Sequence, residues 1–404
     1  MVYLTVSQPC AKLETNIPAK EGTPMKFLFA PDSFKGSLSA VACCDLLERA
    51  AEKVFPGVET VSVPVADGGE GTVDALLRAM GGQRMRVSVT GPLFQPVSAE
   101  WGLLPDGTAV MEMAQASGLP YVPAGQRDPR NTTSLGTGEL IAHALKQGAR
   151  KLLLGIGGSA TNDGGMGMLA ALGAVFTDAV GLPVSPVGGD LIRVEKADFS
   201  GMLPTLKETE ITVICDVTNP LLGPEGATFV YGPQKVASPA IRDELEAGMA
   251  HYAAVVSRAA GRDIDRFPGA GAAGGLGAAL GGVLGAKLKS GIDAVLDAVN
   301  FEEKLAGVSL AVTGEGRMDA QSIRFGKVPV GVARRCAAKG IPAAALVGGI
   351  AEGAEGLFDL CESTLQTIVP GPMSLEEAMG DTPALYESAA ERLFRAIRIG
   401  MRMK

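Results

Sequence analysis

The chain has 404 residues, enough for two cores, and its 47% hydrophobic and 20% charged content is that of a globular protein. A net charge of −8, from 44 acidic and 36 basic residues, argues against nucleic acid or an anionic membrane as the main partner, since both select basic surfaces. Cys10, Cys43, Cys44, Cys215, Cys336 and Cys361 form no C-x-x-C pair, and no apolar run reaches a membrane span, so a reduced, soluble, cytoplasmic protein is expected.

Residues 1–24 show no periodicity and read as a disordered leader or an alternative start. From Met25 onward short apolar runs alternate with helical patterns: "KFLFAPD", a helix over about 39–55, "ETVSVPVADGG" and a helix over about 71–80. The next runs, "RMRVSVTGP", "VSAEWGLL" and "GTAVMEMA", have only turn residues between them, which predicts antiparallel pairing. A helix through "TGELIAHALKQG", the strand "KLLLGIG", a helix through "GGMGMLAALG" and the strand "ITVICDVTNP" follow, then the glycine-rich "PGAGAAGGLGAALGGVLGAKLKSG", read as a tightly packed helix. After residue 300 come "SLAVTGEGRMD", a helix over about 329–339, "IPAAALVGG", "LFDLCEST" and one amphipathic helix over about 374–400. The expected plan is α/β: an open parallel sheet built from both chain ends (25–85 and 292–404), interrupted by a second mixed α/β domain over 86–291, with the site in the cleft between them.

Chemistry has to be found away from histidine. His143 and His251 are the only two, and both fall in alanine-rich helical patterns, so a Ser-His-Asp triad or a histidine-rich zinc site is not expected. Gly269, Gly271 and Gly274 match G-x-G-x-x-G, but the polar "GRDIDRFP" before them is no core strand, so packing is the better account. Gly155, Gly157 and Ala160 match it behind a good strand. There Thr161, Asn162 and Asp163 are expected at the first helical turn, where a bare pyrophosphate would be repelled by the acid unless Mg²⁺ bridged the two; helix capping is the alternative. Gly326-Lys327 is followed by Val328, so no P-loop is present.

Four further clusters fall where strands end, the ligand-binding edge of open α/β sheets: Asp32, Ser33 and Lys35; Asp67 and Glu70; Asp216 and Asn219; Glu315, Arg317 and Asp319. Cations, metal-binding carboxylates and a proton acceptor suit phosphoryl transfer. Hydride transfer by a nicotinamide-dependent hydroxyacid dehydrogenase, and a non-catalytic nucleotide-binding regulator, stay open as alternatives.

Nine motifs, in this order, carry a resemblance: "APDSFKGSLSA", "VPVADGGEGTVDAL", "RDPRNTTSLGTGELI", "GIGGSATNDGGMGMLAALGA", "CDVTNPLLGPEGA", "YGPQK", "PGAGAAGGLGAAL", "LKSGID" and "TGEGRMDAQS". Together they resemble the bacterial type of glycerate kinase from Met25 to the closing "IGMR". The resemblance implies ATP- and Mg²⁺-dependent phosphorylation of D-glycerate at the 2-hydroxyl, and a flavodoxin-like domain carrying an inserted one. Two departures stand out. Ile323, Arg324 and Phe325 precede Gly326-Lys327 where two residues are usual, which could re-aim Lys327 or add Arg324 to the pocket, or simply adjust a surface loop; and Val236 follows "YGPQK" where glycine is usual.

Strand-end placement and chemistry then give the expected roles. Gly155, Gly157, Gly158, Ser159, Thr161 and Asn162 would hold nucleotide phosphates, and Asp163, Glu315 and Asp319 the metal. Lys35, Asp216, Asp67 and Arg317 would be catalytic, with Asp216 the candidate base and Asp67 its rival. Asp32, Ser33, Arg317 and Lys327 would bind substrate, with Arg suited to its carboxylate.

Overall fold

The computed structural model describes residues 25–66 and 71–403. Its strands are β1 (Lys26–Pro31), β2 (Glu59–Ser62), β3 (Gln83–Thr90), β4 (Pro96–Leu103), β5 (Thr108–Glu112), β6 (Lys151–Gly155), β7 (Val175–Thr177), β8 (Lys196–Asp198), β9 (Glu210–Ile214), β10 (Lys287–Lys289), β11 (Leu310–Met318), β12 (Ala343–Ile350) and β13 (Ser363–Thr367).

Both chain ends build the first sheet. Its order is β2-β1-β11-β12-β13, every pairing parallel. Counted within the sheet this is 2-1-3-4-5, the flavodoxin-like order, with its switch point between β1 and β11. Parallel strands covered by helices on both faces read as continuous apolar runs, and β1, KFLFAP, is buried from its second residue onward. On one face Phe27 stacks on Phe394 at 5.5 Å between ring centres, joining the sheet to the helices Ala40–Val54 and Thr382–Met401.

A second sheet lies in the chain between β2 and β11, in the order β10-β9-β6-β5-β4-β3. The β3/β4 and β4/β5 pairs are antiparallel, as the short turns between them dictate, and β5, β6, β9 and β10 run parallel. β7 and β8 form a separate antiparallel pair. Val110, Leu153 and Ile214 of the second sheet share one apolar core with Leu28 and Ala30 of the first, joined through Val73 and Leu76 of the helix Thr72–Met80 and Ile292 and Val295 of the helix Gly291–Ala298.

The second sheet begins at Gln83, ahead of the boundary placed at 86. Two expectations need correction. The closing helix is two, Leu375–Gly380 and Thr382–Met401: Ser374 and Glu377 form a capping box on the first, and Pro383, which has no N–H to offer, starts the second. The glycine-rich segment is not one helix: an α-helix over Ala272–Ala278, with left-handed φ at Ala273, Gly274 and Gly275, passes into a π-helix over Ala279–Val283, and β10 follows. Among the described residues no helix is long and apolar enough to cross a membrane.

Candidate active site

A cavity of about 1010 Å³ opens where strand ends of the two sheets meet. Ser33 and Lys35 line it from the loop after β1, Glu112 from the end of β5, Gly157, Gly158 and Ser159 from the loop after β6, and Asp216 from the loop after β9. Tyr231, Gln234, Lys235 and Ala273 complete that side. β11 ends beside it: a Cβ on Gly316 would stand 3.7 Å from Phe34 Cα and 4.0 Å from the Lys35 amide nitrogen, so this strand reaches the Lys35 loop at van der Waals range.

The loop after β6 carries the most glycine. Gly158 takes φ +75°, a conformation that costs a side-chain-bearing residue about 1–2 kcal/mol. Gly157 and Gly158 present backbone to the cavity with no side chain in the way. Ser159 Oγ and Thr161 Oγ1 share a hydrogen bond at 3.0 Å, and the Thr161 N–H donates to Ser159 Oγ at 3.0 Å, which fixes the turn. The helix that follows starts only at Met166, so Thr161, Asn162 and Asp163 precede it rather than forming its first turn. Thr161 and Asn162 are buried and do not line the cavity; Asn162 Nδ2 donates to Thr228 Oγ1 at 3.3 Å. Gly155 is the last residue of β6 and is likewise off the cavity wall.

Asp163, expected at the metal, has a set of protein partners. It is wholly buried, and its carboxylate accepts the Ser134 N–H at 2.7 Å, the Ser134 hydroxyl at 2.8 Å, the Gly165 N–H at 3.1 Å and the Gly167 N–H at 3.2 Å. Burial raises its pKa, and these donors oppose the rise. Wholly buried and off the cavity wall, Asp163 ties the helix Leu135–Lys146 to the turn before Met166.

The loop after β11 also departs from expectation. Asp319 accepts the Gln321 and Ser322 N–H groups at 2.9 and 3.2 Å, capping the helix Ala320–Phe325. Arg317 is exposed, with Nε 3.8 Å from Asp319 Oδ2; Glu315 is buried in β11; Lys327 stands at the N-terminus of the helix Val328–Ala337. None of the four lines the cavity. Ile323, Arg324 and Phe325 belong to the helix Ala320–Phe325, where Arg324 lies over the Phe325 ring at 5.4 Å and away from the cavity lining. Asp32, mostly buried, accepts the Ser33 N–H at 2.6 Å at the end of β1. Asp67 and Glu70 fall outside the described residues.

Lys235 and Glu112 were not singled out in the sequence. Glu112 accepts the Val73 N–H at 3.0 Å, and Lys235 donates to the Thr161 carbonyl at 2.5 Å. The signal for Lys235 was its place in "YGPQK"; Glu112 ends an ordinary strand and carried none. Burial lowers the Lys235 pKa to about 8, against an opposing pull from Asp163. Burial pushes the Cys215 thiol up to about 11, so this cysteine on the cavity rim is no ready nucleophile. The histidines have structural partners: Trp101 Nε1 donates to His143 Nδ1 at 3.2 Å, and His251 Nε2 lies 2.8 Å from the Val194 carbonyl oxygen. The pattern at Gly269, Gly271 and Gly274 serves packing, since a Cβ on Gly271 would stand 2.1 Å from the Pro220 oxygen.

Known proteins resemble this chain along most of its length. The model of the glycerate kinase family matches residues 27–398. A protein named glycerate 2-kinase from Escherichia coli (strain K12) is 47% identical over 379 residues, 94% of this chain and 99% of that protein. One named glycerate kinase from Bacillus subtilis (strain 168) is 45% identical over 380 residues, with the same shares. A crystal structure described as a candidate glycerate kinase 2 from Salmonella typhimurium LT2 matches with a TM-score of 0.85 at 42% identity, covering 94% of this chain and all of that one.

Proposed function

The chain belongs to the glycerate kinase family, and from that premise we propose that it transfers the γ-phosphate of ATP to the 2-hydroxyl of D-glycerate, giving 2-phosphoglycerate and ADP. The observation that carries the reading is the cavity itself. It brings a lysine, a glycine-rich backbone stretch and a carboxylate together from loops of both sheets. On this reading the chain has two domains, 25–85 with 292–404 and an inserted 86–291, the site lies between them, and the reaction runs in the cytoplasm.

Transfer forms a bond from the glycerate hydroxyl oxygen to the γ-phosphorus and breaks the bond from phosphorus to the bridging oxygen of ADP, so the hydroxyl proton needs an acceptor. Asp216 is the proposed base: it lines the cavity, and the Gly291 N–H donates to its Oδ1 at 2.6 Å, which orients the carboxylate. Lys35 balances charge on the transferring group. Ser33 reaches the substrate side, and the backbone from Gly157 to Ser159 supplies the phosphate cradle. Arg317 and Lys327 remain proposed carboxylate ligands only through the nearness of β11 to the Lys35 loop.

Among the described residues no group of three or more His, Cys, Asp or Glu side chains could enclose a metal ion. That suits Mg²⁺, which keeps waters and phosphate oxygens and takes one or two carboxylates from protein. Asp74 and Glu100 line the cavity paired with Arg84; Glu112, at the end of β5, is the lining carboxylate that would hold the cation, and Asp216 is kept for the hydroxyl proton. The cation would supply neutralising charge on the phosphates.

Purified protein given D-glycerate and Mg·ATP should form ADP only when glycerate is present, and NMR of the product should place phosphate on C2. Phosphate on C3 would overturn the regiochemistry; nicotinamide reduction with no ADP would overturn the kinase. Asp216→Asn should lower kcat roughly 100-fold or more in folded protein, the scale of a lost general base.

A further inference from the structure

Lys235 is the one lysine or arginine buried among the described residues, only 2% exposed, yet it lines the cavity. It ends the short turn Pro233–Lys235, and its Nζ donates to the Thr161 carbonyl oxygen at 2.5 Å. An ammonium has three donors, and one neutral carbonyl compensates poorly for taking a full charge out of water. The carboxylate that acts on it, Asp163, already accepts from Ser134, Gly165 and Gly167. A cation in this position is completed by an anion that enters from the cavity.

We propose that Lys235 Nζ binds a phosphate oxygen of the nucleotide, beside the backbone of Gly157–Ser159. The inference rests on the kinase reading and adds a ligand to its nucleotide side. The phosphates are favoured over the glycerate carboxylate because Lys235 belongs to the glycine-rich wall. The carbonyl it holds is two residues beyond Ser159, and Ser159 Oγ in turn donates to the carbonyl of Ala273, another lining residue, at 3.4 Å. Lys35 and Asp216 reach the cavity from other loops and are left for the acceptor.

Occupation has a protonic consequence. Asp163 acts on Lys235, and the titratable groups on the cavity wall with it are Tyr231, Lys35, Glu112, Asp216, Cys215, Asp74, Arg84 and Glu100. Burial holds the empty-site lysine near 8, so at pH 8.5 it is largely neutral. A phosphate beside it favours the charged form and raises that value, so nucleotide binding at pH 8.5 takes up protons. The phosphates are themselves fully ionised there and supply none.

Calorimetric titration of the full chain with ADP at pH 8.5, in buffers of different ionisation enthalpy, reads this uptake. Wild type should take up a substantial fraction of one proton. Lys235→Met should take up none and bind ADP roughly 10- to 100-fold more weakly, the loss of one charge-assisted hydrogen bond, while its D-glycerate affinity stays unchanged. Unchanged ADP affinity in folded Lys235→Met, or a loss confined to D-glycerate, overturns the assignment. Should Lys235→Met not fold, Lys235→Gln takes its place with the same ADP and D-glycerate titrations, and unchanged ADP affinity in it overturns the assignment. Glycerate-dependent ADP formation by the same wild-type preparation tests the parent reading separately: active wild type with an indifferent Lys235 rejects this inference only.

Discussion

Val236 sits at φ +65° and ψ +23° in the residue after Lys235, and it is more than half exposed. A β-branched residue is a costly occupant of the left-handed region, and no burial of its side chain offsets that cost. Glycine, which takes this conformation at no steric cost, is the residue the position favours. Val236→Gly should stabilise the protein by about 1 kcal/mol, the relief of left-handed strain less the extra chain entropy of glycine, read as a higher urea midpoint at constant m. A lower midpoint would mean that the valine side chain makes a contact worth more than the strain. Asp163 shows the opposite limit of residue-scale reading. An acid in a glycine-rich loop is easily taken for a ligand of something positive, but two of its four donors come from Ser134, 29 residues earlier. Spacing along the chain carries no trace of a partner at that distance. Lys35, Asp216 and the glycines at 157 and 158 were legible because strand ends set their position, and strand ends can be read from the alternation of apolar runs.

At the scale of elements, that alternation recovers the first sheet and the second sheet except β10, including the antiparallel β3–β4–β5 segment, since period and turn chemistry agree there. The glycine-rich stretch after Pro268 resisted, because its conformation is set by what it packs against. Ala273, Gly274 and Gly275 all take positive φ, and a Cβ on Gly274 would stand 2.0 Å from the Thr161 carbonyl oxygen. That oxygen is the one Lys235 holds. Close approach of two backbones thus supports the glycine-rich wall of the cavity from behind. Gly274→Ala combines a left-handed alanine with a clash against backbone that cannot move aside, so a loss of roughly 2–4 kcal/mol is expected. Thermal melting and ADP titration of the variant should both deteriorate; a normal melt with normal ADP affinity would show that this contact relaxes without cost.

For the whole molecule, the consequential feature is the core that spans both sheets. Val110, Leu153 and Ile214 come from β5, β6 and β9, and they share one cluster with Leu28, Ala30 and Val63 by way of the helices Thr72–Met80 and Gly291–Ala298. Sequence suggested two domains with a cleft between them, and nothing local could reveal that the two helices flanking the insertion would glue the sheets together. If the shared core couples them, the sheets lose structure in one step. The single tryptophan, Trp101, is buried in β4 and reports the second sheet alone, whereas far-UV circular dichroism reports both. Urea transitions followed by the two signals should coincide. Leu153→Ala, which empties space at the centre of the shared cluster, should cost about 2–5 kcal/mol and shift both midpoints together. Two separated transitions in wild type would mean that the sheets unfold independently, and a Leu153→Ala shift confined to tryptophan fluorescence would place that side chain's contribution in the second sheet only.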